Sequence, residues 1–208
     1  MTEDQRQLLW DVGAAYVRNI LTDANNERAW WVPSQNFVGV AVGAAGCMSL
    51  LLEDHFPEES KTWIEQCTTH VEAWFQNGFD RDGAYVEGTS YACYGLSNAV
   101  LYAGALQRIK GVDLLNHPHA RRIPEFFAMS LLPGDRVFDA RNDASYAGLD
   151  VTMLRLARAF DSGLAKWLWE RSGTPKTPFA VIWDNDVDPV HPDNADLPWA
   201  KHFRGRGL

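Results

Sequence analysis

Apolar residues three or four apart dominate this chain, and that spacing restricts it to helices more firmly than any other feature. Leu9, Val12, Tyr16 and Ile20 repeat in this way, as do Ile64, Cys67, Val71 and Trp74, each set lying along one side of a 3.6-residue period. Strand-like alternation is scarce. Further helices are expected at about 35–54, 88–109, 119–131 and 148–171, interrupted at Pro33, Pro57, Gly78 to Gly83, Gly111, Pro118 and Pro133-Gly134, where Gly and Pro punctuate helices. Helices of this length joined by ordinary loops predict an all-α fold of paired antiparallel helices, either a bundle or an α/α toroid. No internal repeat is evident.

A chain of 208 residues with 46% hydrophobic content can build one sizeable core, and one domain is the default. The net charge of -8, with charged residues dispersed and no long like-charge run, argues against a nucleic-acid-binding face. An anionic partner therefore needs a local cleft of positive or hydrogen-bonding groups. The weakly polar run from Phe37 to Leu52 is shorter than the roughly 20 residues a bilayer span requires, so it reads as a buried helix and no membrane partner is expected. Cys47, Cys67 and Cys93 are odd in number and far apart, which suggests neither a disulfide framework nor a zinc knuckle. No basic segment followed by an apolar one opens the sequence, so no secretory signal is visible and the compartment stays open. No metal or cofactor is expected: His117-Pro118-His119 has the spacing of a metal edge but no third ligand, and it reads as an inter-helix turn.

The last part of the chain differs. Residues 172–208 carry Pro175, Pro178, Pro189, Pro192 and Pro198 together with Asp184, Asp186, Asp188, Asp193 and Asp196. They read as extended connecting chain following a helical domain over 1–171. The Asp184-x-Asp186-x-Asp188 spacing imitates a calcium loop, but Pro189 stands where the turn needs Gly and Ala195 where the bidentate Glu belongs, so the EF-hand reading fails.

The most distinctive segment runs from Asp82-Gly83 through Glu87-Gly88 to Tyr91 and Tyr94. Asp-Gly predicts a turn, and a helix beginning near Gly88 would align Glu87, Tyr91 and Tyr94 at i, i+4 and i+7 on one face. Such a row is either a set of polar heads facing a ligand or a pair of core tyrosines with satisfied hydroxyls. Glu87 could orient Tyr91, touch a sugar, or sit near the helix N-terminus, where negative charge is favoured. Trp30-Trp31, just ahead of Gln35-Asn36, is either a stacking wall or simple packing.

The D-G-x-x-x-E-G-x-x-Y-x-x-Y pattern, preceded by Gln35-Asn36, resembles the helical domain shared by heparinases II and III, the exolytic alginate lyases and dermatan sulfate epimerase. The likeness continues through His117-Pro118, Phe126-Phe127-Ala128, Leu131-Leu132-Pro133-Gly134 and the stretch from Asp139 to Tyr146, so it spans most of residues 30–150. The ending, Leu197-Pro198-Trp199-Ala200-Lys201-His202-Phe203, is similar to the run that leads into a β-sandwich domain in that family. The resemblance thus implies an incomplete α/α toroid whose C-terminal β-sandwich partner is missing from this chain. It also implies a lyase acting on anionic, uronic-acid-containing polysaccharides, and it favours a periplasmic or secreted setting.

By the same resemblance Tyr91 is the catalytic acid/base. Its companion, an Asn or His that neutralises the uronate carboxylate, falls on Asn36, with Gln35 as second choice; several relatives carry His, and the window from Ser34 to Phe37 has none. Removing the C5 proton of a uronate is difficult because the adjacent carboxylate is already negative, so donors must stabilise the enediolate-like charge. A tyrosine with an ordinary pKa of about 10 can take or give the proton if cationic neighbours lower it. The resemblance supplies a further His or Tyr from the β domain. Glu87, Tyr94, Arg141 and Trp31 complete the expected substrate contacts; Arg141 could pair with a carboxylate or sulfate, or form a structural ion pair with Asp139 or Asp143. The competing functions are a C5-epimerase, which begins with the same proton removal, a hydrolase using Glu87 and Asp143 as paired carboxylates, and a non-catalytic carbohydrate-binding domain.

Overall fold

The computed structural model describes residues 1–26, 31–134, 151–172, 177–198, 200, 201 and 203. The described residues are mostly helical and contain no strand, only an isolated antiparallel bridge between Phe79 and Tyr85. The helices are α1 (Glu3–Asn25), α2 (Gly43–Leu51), α3 (Pro57–Gly78), α4 (Thr89–Lys110), α5 (Ile123–Met129), α6 (Thr152–Phe160), α7 (Gly163–Arg171) and α8 (Pro178–Trp183). No helix among the described residues is long and apolar enough to cross a membrane.

Helix α1 starts at a capping box: the Thr2 hydroxyl accepts from the Gln5 backbone N–H, and the Gln5 side chain accepts from the Thr2 N–H, which satisfies two amides that the first turn leaves open. Its buried face is Gly13, Ala14, Val17, Leu21 and Ala24. The face expected from the large apolar residues is displaced: Leu9 is 55% and Val12 59% exposed. Val17 and Leu21 supply the bulk of that face, and at Gly13 α1 lies so close to α2 that a Cβ would stand 3.0 Å from the Met48 sulfur. In α3 the expected face is the buried one, with Ile64, Cys67, Val71 and Trp74 all in the core.

The expected helix over 35–54 is composite. Residues Val38–Val42 form a π-helical turn that runs straight into α2. Asn98 Nδ2 donates to the Val40 carbonyl at 3.0 Å, and the Tyr16 hydroxyl donates to the Ala41 carbonyl at 3.3 Å, so side chains of α4 and α1 supply partners to the widened turn. Close packing accompanies this: a Cβ on Gly43 would stand 2.7 Å from the Ala99 nitrogen and the Asn98 carbonyl carbon of α4. The expected helix at 119–131 begins as a 3-10 turn, Ala120–Arg122, before α5. The one expected over 148–171 is divided between α6 and α7, where Asp161 is left-handed (φ 51°) and the Ser162 hydroxyl accepts from Ala165 N–H. The region expected as extended chain holds α8, a 3-10 turn at Pro192–Asn194, and Phe203, which is buried against Phe126.

Desolvation raises two thiols in this core. Burial pushes Cys47 up to about 11; burial, opposed by a Ser49 hydrogen bond and aided by Cys47, pushes Cys67 up to about 12. Unfolded thiols titrate near about 8.5, so the unfolded chain releases these protons first. The stabilisation from keeping them neutral is full below about pH 8.5 and is lost as pH rises towards the folded values, at about 1.4 kcal/mol per pH unit and thiol. Urea midpoints measured from pH 8 to pH 10.5 should fall, and the fall should be shallower in a Cys47→Ala, Cys67→Ala variant.

Candidate functional site

The segment between α3 and α4 folds back on itself. Asp80 is buried, and its Oδ1 accepts from the Asp82 and Ala84 backbone N–H groups at 2.9 Å each, an Asx arrangement that ties off the Asp82-Gly83 turn. Gly83 takes φ 86° there, and the bridge between Phe79 and Tyr85 plus Val86 N–H to Gly78 O at 3.0 Å closes the loop. The turn expected from Asp-Gly is present. Lys201 reaches back to it, pairing with Glu125 at 2.9 Å and Asp82 at 3.6 Å.

From this loop Glu87 projects into a hydrogen-bonded chain. Its Oε2 accepts from Asn36 N–H at 2.7 Å, from Asn36 Nδ2 at 3.0 Å and from the Tyr85 hydroxyl at 3.0 Å. The Tyr85 oxygen in turn accepts from Trp74 Nε1 at 3.0 Å. Trp74 and Tyr85 are fully buried and Asn36 is 4% exposed, so the chain runs from the aromatic core to the residues at the head of the π-helical turn. A carboxylate accepting three bonds in a partly buried setting is the strong kind of polar anchor.

The expected single face of Glu87, Tyr91 and Tyr94 does not form. Gly88, with φ 86° and ψ -175°, is the N-cap of α4, so the 3.6-residue period does not reach back to Glu87. Glu87 therefore lies ahead of the helix, bonded to Asn36 and Tyr85. Tyr91 sits in the first turn of α4, half-buried against the core, while Tyr94 is 55% exposed. Gln35 is half-buried; its backbone N–H donates to Val32 O, its carbonyl accepts from Val38 N–H, and its side chain makes no hydrogen bond with the described residues. Trp31 packs partly buried against the core, edge-on to Phe37 with ring centroids 6.4 Å apart. Trp30, Asp139, Arg141, Asp143 and Tyr146 lie outside the described residues.

The structure thus brings Asn36 and Glu87 into direct contact across 51 positions of sequence. Tyr85 and Trp74 were not singled out in the sequence for this network. Their signal was present in part: an aromatic residue two places before Glu87 and an apolar-periodic Trp whose indole N–H needs a buried acceptor. The His117-Pro118-His119 turn is structural. His117 Nε2 pairs with Gln76 Oε1 at 2.9 Å and His119 Nδ1 with the Phe79 carbonyl at 2.8 Å, and burial, then the neighbouring His119, lowers the His117 pKa. Among the described residues no three His, Cys, Asp or Glu side chains are grouped to hold a metal ion.

No protein-family model, no curated protein and no solved structure matches the chain.

Proposed function

We propose that this chain is the substrate-cradling helical part of a polysaccharide lyase, an incomplete α/α toroid, that cleaves uronic-acid-containing glycans by β-elimination. The observation that carries the reading is the Glu87 junction: it joins the Gln35-Asn36 segment to the E-G-x-x-Y element, the two segments on which the family resemblance rests. One side-chain hydrogen of Asn36 is held by Glu87. The remaining one, with the Gln35 amide, is the donor set for the substrate carboxylate, and Glu87 is a positioning residue rather than a sugar contact, since two carboxylates repel.

In the proposed reaction the C5 proton passes to a base and the electron pair left behind is delocalised into the uronate carboxylate, where amide donors stabilise it. Collapse of that pair forms a double bond between C4 and C5 and expels the glycosidic oxygen, which takes a proton from an acid. Tyr91 fills the base role, the acid role, or both in turn; a partner His or Tyr comes from the β domain that the resemblance implies. Tyr94, Trp31 and Arg141 are the proposed further substrate contacts.

The test follows unsaturated uronate by its ultraviolet absorbance, using the full-length protein with a panel of uronic-acid polymers. At least one polymer should give unsaturated product, and Tyr91→Phe should slow its formation by at least about 100-fold, the scale of general acid–base catalysis, with little change in melting temperature. Solvent deuterium appearing at C5 without chain cleavage would assign the chemistry to epimerisation instead. Reducing ends released without unsaturation, and equally in the Tyr91→Phe variant, would overturn the lyase reading and favour hydrolysis.

A further inference from the structure

A cavity of about 600 Å³ opens between the C-terminal half of α4, helix α6 and helix α8, and Gly104, Arg155, Arg158 and Trp183 are among its lining residues. It lies more than three helical turns along α4 from Tyr91, so it is separate from the site described above. Arg155 is only 7% exposed, yet it forms no ion pair among the described residues: its Nη2 donates to the Gln107 side-chain oxygen at 2.5 Å, and its other guanidinium hydrogens have no protein acceptor there. A cation so deeply placed is normally paired. Trp183, also 7% exposed, carries an indole N–H that likewise makes no hydrogen bond with the described residues.

These two donors converge. A Cβ on Gly104 would stand 3.4 Å from Arg155 Nε and 3.8 Å from Trp183 Nε1, so the missing side chain of Gly104 leaves open the spot they share. Arg108 and Arg158 flank the mouth; Arg158 spends one donor on the Ile182 carbonyl at 3.0 Å. Asp113 also lines the cavity, but its Oδ1 accepts from Leu115 N–H at 3.1 Å. Three guanidinium charges less one carboxylate leave two positive charges in a protein whose net charge is -8.

We infer that this cavity is a binding site for a tetrahedral dianion, the phosphate or sulfate group of a small phosphorylated or sulfated molecule, seated over Gly104 between Arg155 and Trp183. Donors arriving from three helices suit a tetrahedral group better than a planar one, and a dianion neutralises the excess charge. Guanidinium groups are the usual means of holding such oxyanions, and the volume exceeds what the anion alone would fill, which leaves room for the body of a small ligand.

Sodium phosphate and sodium sulfate, titrated at constant ionic strength against sodium chloride, test this by calorimetry and by the amide and indole N–H resonances of the protein. Saturable binding is expected, with the Trp183 indole resonance, identified through Trp183→Phe, among those that shift. Gly104→Ala is the decisive variant. The added methyl makes only ordinary contact with Arg155 and suits a helix interior better than glycine, so melting temperature should hold or rise while affinity falls at least about tenfold as the anion seat is filled. Arg108→Ala, at the exposed rim, should weaken binding by a smaller factor. Preference for phosphate or for sulfate would tell which ligand source applies. Equal response to acetate, or affinity unchanged in both variants, would overturn the assignment.

Discussion

Alanine at Glu87 is expected to lower the melting temperature by about 8–16 °C, the result of losing about 4 kcal/mol in a chain of this size. The loss comes from donors left behind rather than from the carboxylate itself. Without Glu87 the Tyr85 hydroxyl and the Asn36 backbone N–H both lose the carboxylate that accepts from them at 3.0 and 2.7 Å. Breaking a buried bond to a charged acceptor costs about 1–3 kcal/mol each. Glu87→Gln keeps one carbonyl oxygen at the junction and should lose about half as much. Thermal melts of the two variants, read beside unsaturated-product formation, separate structure from chemistry: a Gln variant that is nearly as stable as the parent but much slower would show that holding Asn36 in place matters beyond stability. Melting temperatures unchanged in both variants would show that the Glu87 hydrogen bonds contribute nothing net.

Gly43→Ala should behave contrary to ordinary helix propensity. Replacing glycine by alanine within a helix normally gains up to about 1 kcal/mol; here the new methyl would meet the Ala99 nitrogen and the Asn98 carbonyl carbon at 2.7 Å. Those atoms are backbone, so relief requires moving α2 and its π-helical lead away from α4. A destabilisation of about 3 kcal/mol, or about 6–12 °C in melting temperature, is expected. Chemical denaturation gives the comparison, with Gly111→Ala as a surface reference for a glycine that has no neighbour within 4 Å but a left-handed φ of 74°. A Gly43→Ala protein as stable as the parent would mean that the two helices slide apart at no cost.

The contrast between α3 and α1 shows how much of this fold was legible. In α3 the large apolar residues face inward, and their spacing identified both the helix and its core side. In α1 the buried row is Gly13, Ala14, Val17, Leu21 and Ala24, beside the expected row of Leu9, Val12, Tyr16 and Ile20, and a periodicity based on bulk cannot see its glycine and alanine members. The split between α6 and α7 depends on Asp161 adopting a left-handed conformation and Ser162 capping the next helix, and both residues also occur within helices. The π-helical turn has no composition of its own; it depends on partners from α1 and α4 that are distant in sequence.

The candidate site was legible as two segments but not as a geometry. The turn at Asp82-Gly83 and the helix bearing Tyr91 follow from local residue types. The position of Glu87 does not, since a single positive φ at Gly88 decides whether it belongs to the helix. The Arg155 cavity escaped sequence reasoning altogether: Arg155 sits among apolar residues of α6, and its significance lies in Trp183 and Gly104 meeting it from other helices.

The Asn36 amide donates to a side chain whose other partner is hydrogen-bonded to the centre of the core. In hydrogen exchange it should therefore behave as part of the slowest cooperative unit, although it stands at the first turn of a helix, where amides ordinarily exchange quickly. Residues 35–36 are tied on both sides, Gln35 to Val32 and Val38 and Asn36 to Glu87. On the proposed reading, the donor at Asn36 is therefore set in place before a substrate arrives, and any opening that admits a long polymer falls to other parts of the protein.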